Sequence, residues 1–384
     1  GSVSGMAVLL DDYFPLSCRC RIISGGNGIL LRSEIRDLST GSLLSYTQEE
    51  VSNIVQLKTF RDPSANCSLL KASLVCMGMI SEEQIMLSTD IQMLINQFCS
   101  SIDNVRMEIV TTSLLGMGTG MGTSSILGAC IFQTIAVSVG IGKMDDEFLL
   151  HAVLMLEQLL SSGGGWQDQA LGILPGVKTV RSTPRIPLEI QIEPIEVSNS
   201  NVSAFEDRLL FAYTGKTRLA KNILQQVLRR WSRRTREIVE TVEKLVNRSS
   251  AVRDAFRNES WDKVGEHMYE SYKLKCVMAG EHSGAEPEPV NLFISELMIR
   301  DRIKGAMLCG AGGGGFLLLL LSEGVRRDDI NSTFEECIRP LSKDFENFSF
   351  HNCRIAQTGL TTSIMEDNAI DYKLSWQYSK RTEQ

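Results

Sequence analysis

Long apolar runs, a basic excess, histidine clusters and paired cysteine motifs are all missing from these 384 residues. No stretch of about 18 apolar residues occurs, which argues against a membrane-spanning helix. The formal net charge is −7, so there is no overall basic footprint for nucleic acid. The opening GSVSGMAVLLDDYF has no basic segment ahead of its short apolar patch and does not read as a secretory signal. Four histidines, dispersed at 151, 267, 282 and 351, form neither a metal cluster nor a Ser–His pairing. The ten cysteines are scattered. Cys18 and Cys20 form a C-x-C pair, but no zinc or disulfide spacing is present. Reduced thiols acting as small hydrophobes are the expectation. Without a signal, Asn-x-Ser/Thr triplets such as Asn247-Arg248-Ser249 are chance matches. What remains is an ordinary globular composition, 43% hydrophobic and 22% charged. Such a chain is expected to be cytoplasmic, with small-molecule rather than nucleic-acid or membrane partners.

The length predicts roughly two domains. Residues 16–33 contain two β-prone runs joined by Gly25-Gly26-Asn27-Gly28, where Asn-Gly predicts a hairpin turn. Residues 67–80 and 87–101 read as helices, the second with Asp90 near its start, and 106–115 as a strand. An apolar helix over 124–141 follows a glycine loop. Another begins at Asp145 or Asp146 and stops at Gly163. Residues 179–197 carry three prolines and strand-like alternation, a plausible crossover between domains. A strand over 208–215 leads into a long helix over about 219–247, read from Leu219, Ile223, Val227 and Trp231. Its basic run RRWSRRTRE (229–237) is either a solvated face or an anionic-partner surface. A further amphipathic helix spans 289–303. Residues 305–322 read as a strand, a glycine loop and a short apolar run, and the polar end from Tyr372 to Gln384 as a loose tail. The mixture, with no regular βαβ repeat, is α+β.

Three constellations carry chemistry. In GMGTGMGTSSILG (116–128), glycines at 116, 118, 120 and 122 precede Thr123, Ser124 and Ser125 at the start of an apolar helix. Alternate glycines let backbone N–H groups converge, and the helix start adds unpaired donors, so the segment suits a phosphate. It matches neither the G-K-[ST] loop nor G-x-G-x-x-G. The plain alternative is a flexible loop capped by Thr123 or Ser124. Second, Glu157 stands in an otherwise apolar helix, where a buried carboxylate needs a partner. Asp168 follows in GGGWQDQ (163–169). Two such carboxylates near a phosphate loop suit metal binding by one and proton abstraction by the other. Taken singly, each has a structural explanation, an arginine partner or a turn cap. Third, GAGGGG (310–315) before a buried strand implies close backbone approach, or simply a hairpin turn.

In this order, GTGMGTSSILG, GGGWQDQ and GAGGGGF resemble the GHMP small-molecule kinase family. LLKASLVCMGM (69–79), HAVLMLEQLLSSGGGWQDQ (151–169) and YTGKTRLAKNILQQVLRRW (213–231) make the chain most similar to its L-fucokinase branch. The resemblance covers about residues 5 to 360. It implies a two-domain fold, a mixed N-terminal ATP-binding domain over 1–185 and a ferredoxin-like domain over 186–368, with a polar tail over 369–384. It also implies ATP and Mg²⁺ as cofactors and phosphorylation of L-fucose at its anomeric hydroxyl. Gly118, Thr119, Gly120, Met121, Gly122, Thr123, Ser124 and Ser125 correspond to the ATP phosphate loop. Ser124 and Glu157 correspond to the Mg²⁺ ligands, and Asp168 to the catalytic aspartate, the base facing the sugar hydroxyl. Gly165, Gln167, Gln169, Thr214, Arg218, Gly310, Ala311, Gly312, Gly313 and Gly314 correspond to cleft or substrate loops. Gln167 and Gln169 are expected to set the Asp168 rotamer.

Two departures stand out. Gly116 replaces a proline common at the entry of related phosphate loops. The family's first motif, R-[VI]-D-[FL]-[SA]-G-G-W-[ST]-D, is absent. The resemblance therefore implies a C-terminal piece of a longer protein, or a truncated gene model, with an upstream pyrophosphorylase-like region and a sheet edge left exposed. Rival readings are a heptose-phosphate kinase of the same family and a non-catalytic nucleotide-binding remnant.

Overall fold

The computed structural model describes residues 1–99, 104–116, 118–160, 164–216 and 221–364. The chain opens with β1 (Ser2–Met6), β2 (Val8–Leu10), β3 (Leu16–Ser24), β4 (Ile29–Arg36) and β5 (Leu43–Val51). Next come α1 (Ser68–Cys76), α2 (Glu82–Met86), α3 (Ile91–Phe98), β6 (Val105–Ser113), α4 (Thr123–Ser138), α5 (Asp146–Leu159) and α6 (Gln167–Gly172). The hairpin β7 (Val177–Thr183) and β8 (Glu189–Pro194) leads to α7 (Asn199–Glu206) and β9 (Leu209–Tyr213). The remainder is α8 (Lys221–Ser232), α9 (Arg236–Arg257), α10 (Trp261–Ala279), α11 (Glu288–Ile299), β10 (Ile303–Leu308), β11 (Phe316–Leu321), α12 (Arg327–Thr333) and β12 (Ser349–Ile355). The fold is α+β, as expected. No described helix is long and apolar enough to cross a membrane.

The strands form three sheets, ordered β3-β6-β4-β5, β1-β7-β8 and β10-β11-β9-β12-β2. The first corrects the expected hairpin over 16–33. Both strands exist, but β6 lies between them, antiparallel to β3 and parallel to β4. The loop Gly25–Gly28 therefore spans two strand spacings, about 10 Å, with Gly25 and Gly28 at positive φ. Ile29, Leu31, Met107 and Ile109 form one core with Leu70, Leu94 and Ile131 from the covering helices.

The five-stranded sheet explains the run FLLLLL. All six residues of β11 are buried. Leu317, Leu319 and Leu321 pack with Phe293 and Leu297 of α11. Phe316, Leu318 and Leu320 face the opposite core with Phe205, Phe256 and Met268. A central strand covered on both faces needs no polar alternation. α10 sits directly on β10: a Cβ at Gly305 would lie 2.0 Å from the Gly265 carbonyl oxygen.

The long helix expected over 219–247 is broken. α8 ends at Ser232, Arg234 takes φ 51°, and Thr235 precedes α9. The left-handed residue ends one helix and re-aims the next. The basic run straddles this break and is mostly exposed. Arg236 pairs with Glu240, and Arg234 stacks over Trp231 at 3.7 Å, which favours a solvated face. The strand β5 and the helix α10 were not anticipated. β1 is an edge strand, with Ser2 and Ser4 bonded to Ser249 of α9. The expected domain boundary at 185 falls in the turn of the β7–β8 hairpin. The expected tail over 369–384 lies outside the described residues. All ten cysteines are free, and burial raises the thiol pKa of Cys18, Cys130 and Cys353.

One buried cation fixes the short helix α6. Lys178 is 1% exposed, and its Nζ donates to the carbonyls of Leu171 (2.9 Å), Leu174 (2.8 Å) and Gly176 (3.1 Å). The ammonium satisfies one carbonyl in the last turn of α6 and two in the loop that follows it. Lys178→Met orphans those acceptors and is expected to destabilise the protein by about 2–3 kcal/mol. Urea unfolding of the variant beside wild type measures this, and an unchanged midpoint contradicts it.

Candidate active site

The apolar helix α4 begins on Gly122, which takes φ 65° and offers no side-chain cap. Gly118 and Gly120 also lie at positive φ, 74° and 78°. Capping by Thr123 or Ser124, the plain alternative, is not what occurs. Ser124 Oγ donates to Glu157 Oε1 at 2.7 Å, and Ser125 Oγ donates to the same oxygen at 2.9 Å. The amides of the first turn of α4 thus carry no side-chain cap, which leaves donors open to an anion.

Gly120 touches a second glycine loop. A Cβ there would stand 2.5 Å from the Cys309 carbonyl oxygen, and one at Gly310 would meet Gly120 Cα at 2.8 Å. Phe316 N donates to the Thr119 carbonyl at 3.0 Å, and a Cβ at Gly315 would lie 2.2 Å from that oxygen. The connection between β10 and β11 is therefore both a turn and a close backbone approach. Gly310 and Ala311 line the same cleft as Thr119, Met121, Ser124 and Asp168. The later glycines bind neighbouring loops. Gly313 N donates to the Ala285 carbonyl at 2.9 Å, a Cβ at Gly312 would lie 2.4 Å from that oxygen, and one at Gly314 would lie 2.8 Å from the Lys216 carbonyl. Thr214 is buried, and its N–H donates to Gly315 at 3.0 Å. Arg218 lies outside the described residues.

Glu157 projects from the buried side of α5 and is 4% exposed. Asp168 stands in the first turn of α6, half-buried, and also lines the cleft. The start of α4 fits against it because Gly122 has no side chain: a Cβ would come within 2.9 Å of Asp168 Cβ. Burial pushes the Asp168 carboxyl up to about 6. Glu157 adds to this, and Lys275 opposes it. Gln167 Oε1 lies against Gly165, at 2.4 Å from where a Cβ would stand. Gln169 is fully buried, and its amide atoms have no hydrogen-bond partner among the described residues. Among those residues, neither glutamine is hydrogen-bonded to Asp168, so the expected rotamer lock is not seen.

Lys275 of α10 is the cleft residue that sequence reasoning missed. Its Nζ donates to the Leu308 carbonyl at 3.4 Å. Burial pushes its pKa down, against Cys309 and Asp168. Nothing in YESYKLKCVMAG separates it from Lys273, which pairs with Glu286 at 2.9 Å.

The raised Asp168 value has a stability consequence. A carboxyl with its folded pKa above the unfolded 3.8 favours the folded state when protonated. That contribution is complete below pH 4 and disappears as pH rises through about 6. Ligand-free Asp168→Asn is therefore expected to exceed wild type by about 1–2 kcal/mol at pH 7.5, after allowance for partial exposure. The difference should vanish at pH 4. Urea midpoints at the two pH values test this, and an unstabilised variant at pH 7.5 contradicts it.

No family model matches the chain. It is 29% identical over 338 residues to the bifunctional fucokinase/GDP-fucose pyrophosphorylase of Arabidopsis thaliana, covering 88% of this chain and 29% of the relative. It is 25% identical over 323 residues to the L-fucokinase/L-fucose-1-P guanylyltransferase of Bacteroides fragilis, covering 84% and 32%. The chain thus spans about a third of the length of these curated relatives. Among solved structures it is similar to L. major mevalonate kinase in complex with R-mevalonate, with TM-score 0.58, 13% identity, and 94% and 97% of the two chains covered. Lactococcus lactis galactokinase complexed with galactose aligns with TM-score 0.56, 12% identity, and 94% and 95% covered. The chain thus shares the fold of these kinase structures and is similar in sequence, over most of its own length, to two much longer fucokinase relatives.

Proposed function

We propose that the chain is the kinase unit of a larger protein and transfers the γ-phosphoryl group of ATP to the anomeric hydroxyl of L-fucose. The product would be fucose 1-phosphate, a substrate for nucleotidyl transfer by another region of the same protein. The single observation that carries the reading is the meeting of Asp168 with the uncapped start of α4. A proton acceptor thereby lies beside an anion site. Likeness to the two bifunctional relatives supports the choice of sugar and the existence of further domains. In this reading residues 1–185 hold the phosphate loop and both carboxylates, and residues 186–368 supply the late glycine loop. With the boundary moved past β8, the β7–β8 hairpin stays whole.

The donor set fits Mg²⁺. Ser124 Oγ and a Glu157 carboxylate oxygen are hard oxygen ligands already side by side and would hold the ion. When bound, the ion would neutralise charge on the β- and γ-phosphates. The chain's own contributions are distinct. Amides of the α4 turn and the loop Gly118–Gly122 hold the phosphates in place. Asp168 accepts a hydrogen bond from the sugar hydroxyl, orients it for in-line attack and takes its proton. An acceptor with its pKa raised to about 6 is ionised at neutral pH, yet more basic than an ordinary aspartate.

Asp168→Asn is expected to keep nucleotide binding and lower kcat by about 1,000-fold or more. Wild-type kcat should fall on the acid side with a midpoint near 6, as Asp168 protonates. An ADP-release assay with L-fucose measures both, and near-wild-type turnover removes Asp168 from the chemistry. Transfer to a heptose phosphate in place of L-fucose would redirect the substrate while leaving the residue roles intact. Glu157→Gln is expected to raise the Mg²⁺ concentration for half-maximal rate by about tenfold. An unchanged titration returns Glu157 to a structural role.

A further inference from the structure

Lys275 enters the cleft from α10, a helix that belongs to neither the phosphate loop nor either carboxylate segment. Its position is set by backbone packing. Gly265 of the same helix lies on Gly305 of β10 with no side chain between them. Nearly three turns on, the Lys275 ammonium reaches the carbonyl of Leu308, the last residue of β10. The next residues, Cys309 and Gly310, are those on which Gly120 is stacked, and Gly122 in turn abuts Asp168. The cation is thus tied through backbone contacts to the loop that bounds the carboxylate.

The other buried or half-buried lysines of the structure are compensated. Lys71 pairs with Glu49 at 2.7 Å, Lys273 with Glu286 at 2.9 Å, and Lys178 holds three carbonyls. Lys275 makes no salt bridge among the described residues, and its one hydrogen bond is long, at 3.4 Å. Lys275 and Asp168 line the same cleft, where a half-buried ammonium with so little local compensation attracts the carboxylate, and Glu157 on the other side repels it.

We propose that Lys275 is a positioning residue for Asp168: fixed to the end of β10, its ammonium draws the carboxylate away from Glu157 and holds it facing the acceptor hydroxyl. The proposal rests on the kinase reading above. An arriving triphosphate adds negative charge on the Glu157 side of the cleft, which would turn an unanchored carboxylate aside. A cation fixed on the other wall opposes that rotation. The phosphate loop and the hydroxyl pair of Ser124 and Ser125 contain no such positive group.

The test uses Lys275→Met, Lys275→Arg and the double variant D168N/K275M. Lys275→Met is expected to lower kcat for L-fucose phosphorylation by about 100-fold while the KM for ATP stays within about threefold. Lys275→Arg, which keeps the charge, should recover to within about tenfold of wild type. A kcat for Lys275→Met within about threefold of wild type overturns the proposal, as does Arg that rescues no better than Met. A second measurement is independent of turnover. In urea unfolding of the ligand-free protein, the shifts of D168N and K275M should be non-additive in the double variant. Additive shifts overturn the pairing. Wild-type protein that phosphorylates no sugar overturns the kinase reading instead, and the urea cycle still decides whether the two side chains are coupled.

Discussion

The site depends on one constraint, the contact of two backbones with no side chains between them. The loop around Gly120 and the loop around Gly310 meet at distances no Cβ tolerates, and the Thr119 carbonyl joins them by accepting from Phe316 N. As at the contact of Gly265 with Gly305, the spacing here is set by the absence of side chains. Such a contact has little slack, because main-chain atoms lack the rotamers with which a packed side chain absorbs strain. The uncapped amides at the start of α4, Asp168 beyond Gly122 and Lys275 behind Leu308 all take their positions from this junction.

Charge is arranged around the junction rather than within it. Glu157 is satisfied by two serine hydroxyls and remains buried on α5. Asp168 has burial and Glu157 against its ionisation and Lys275 in favour. Two carboxylates close in space are thereby made unequal, one held by hydroxyl donors and the other given a raised pKa. In the proposed reaction that division would separate an ion-binding group from a proton-accepting one.

The sequence exposed the glycine loops and both carboxylates because each breaks a local rule. Dense glycine before an apolar strand and a lone acid in an apolar helix are hard to explain without close approach or a partner. The apolar run of β11 was legible as a buried strand for the same reason. Pairing was not legible. Asn27-Gly28 has strong hairpin chemistry, yet β6, some 80 residues away in sequence, inserts between β3 and β4. Local turn preference has no information about a strand that arrives later. The break at Arg234 was hidden because arginine is an ordinary helix former and nothing beside it marks a left-handed residue. Lys275 was invisible because its significance lies in what it faces across the cleft, which no spacing along α10 records.

The pairing of β2 with β12 has a kinetic meaning. Val8, Leu9 and Leu10 align with Ile355, Arg354 and Cys353, so a strand from the first residues joins a strand from beyond residue 350. Phe316 likewise completes a bond to Thr119 across almost 200 positions. During synthesis the loop around Gly120 is made well before its far wall, which follows almost 200 residues later. A nascent chain arrested between these points carries Asp168 in an open half-cleft, with apolar strands exposed until the last sheet closes.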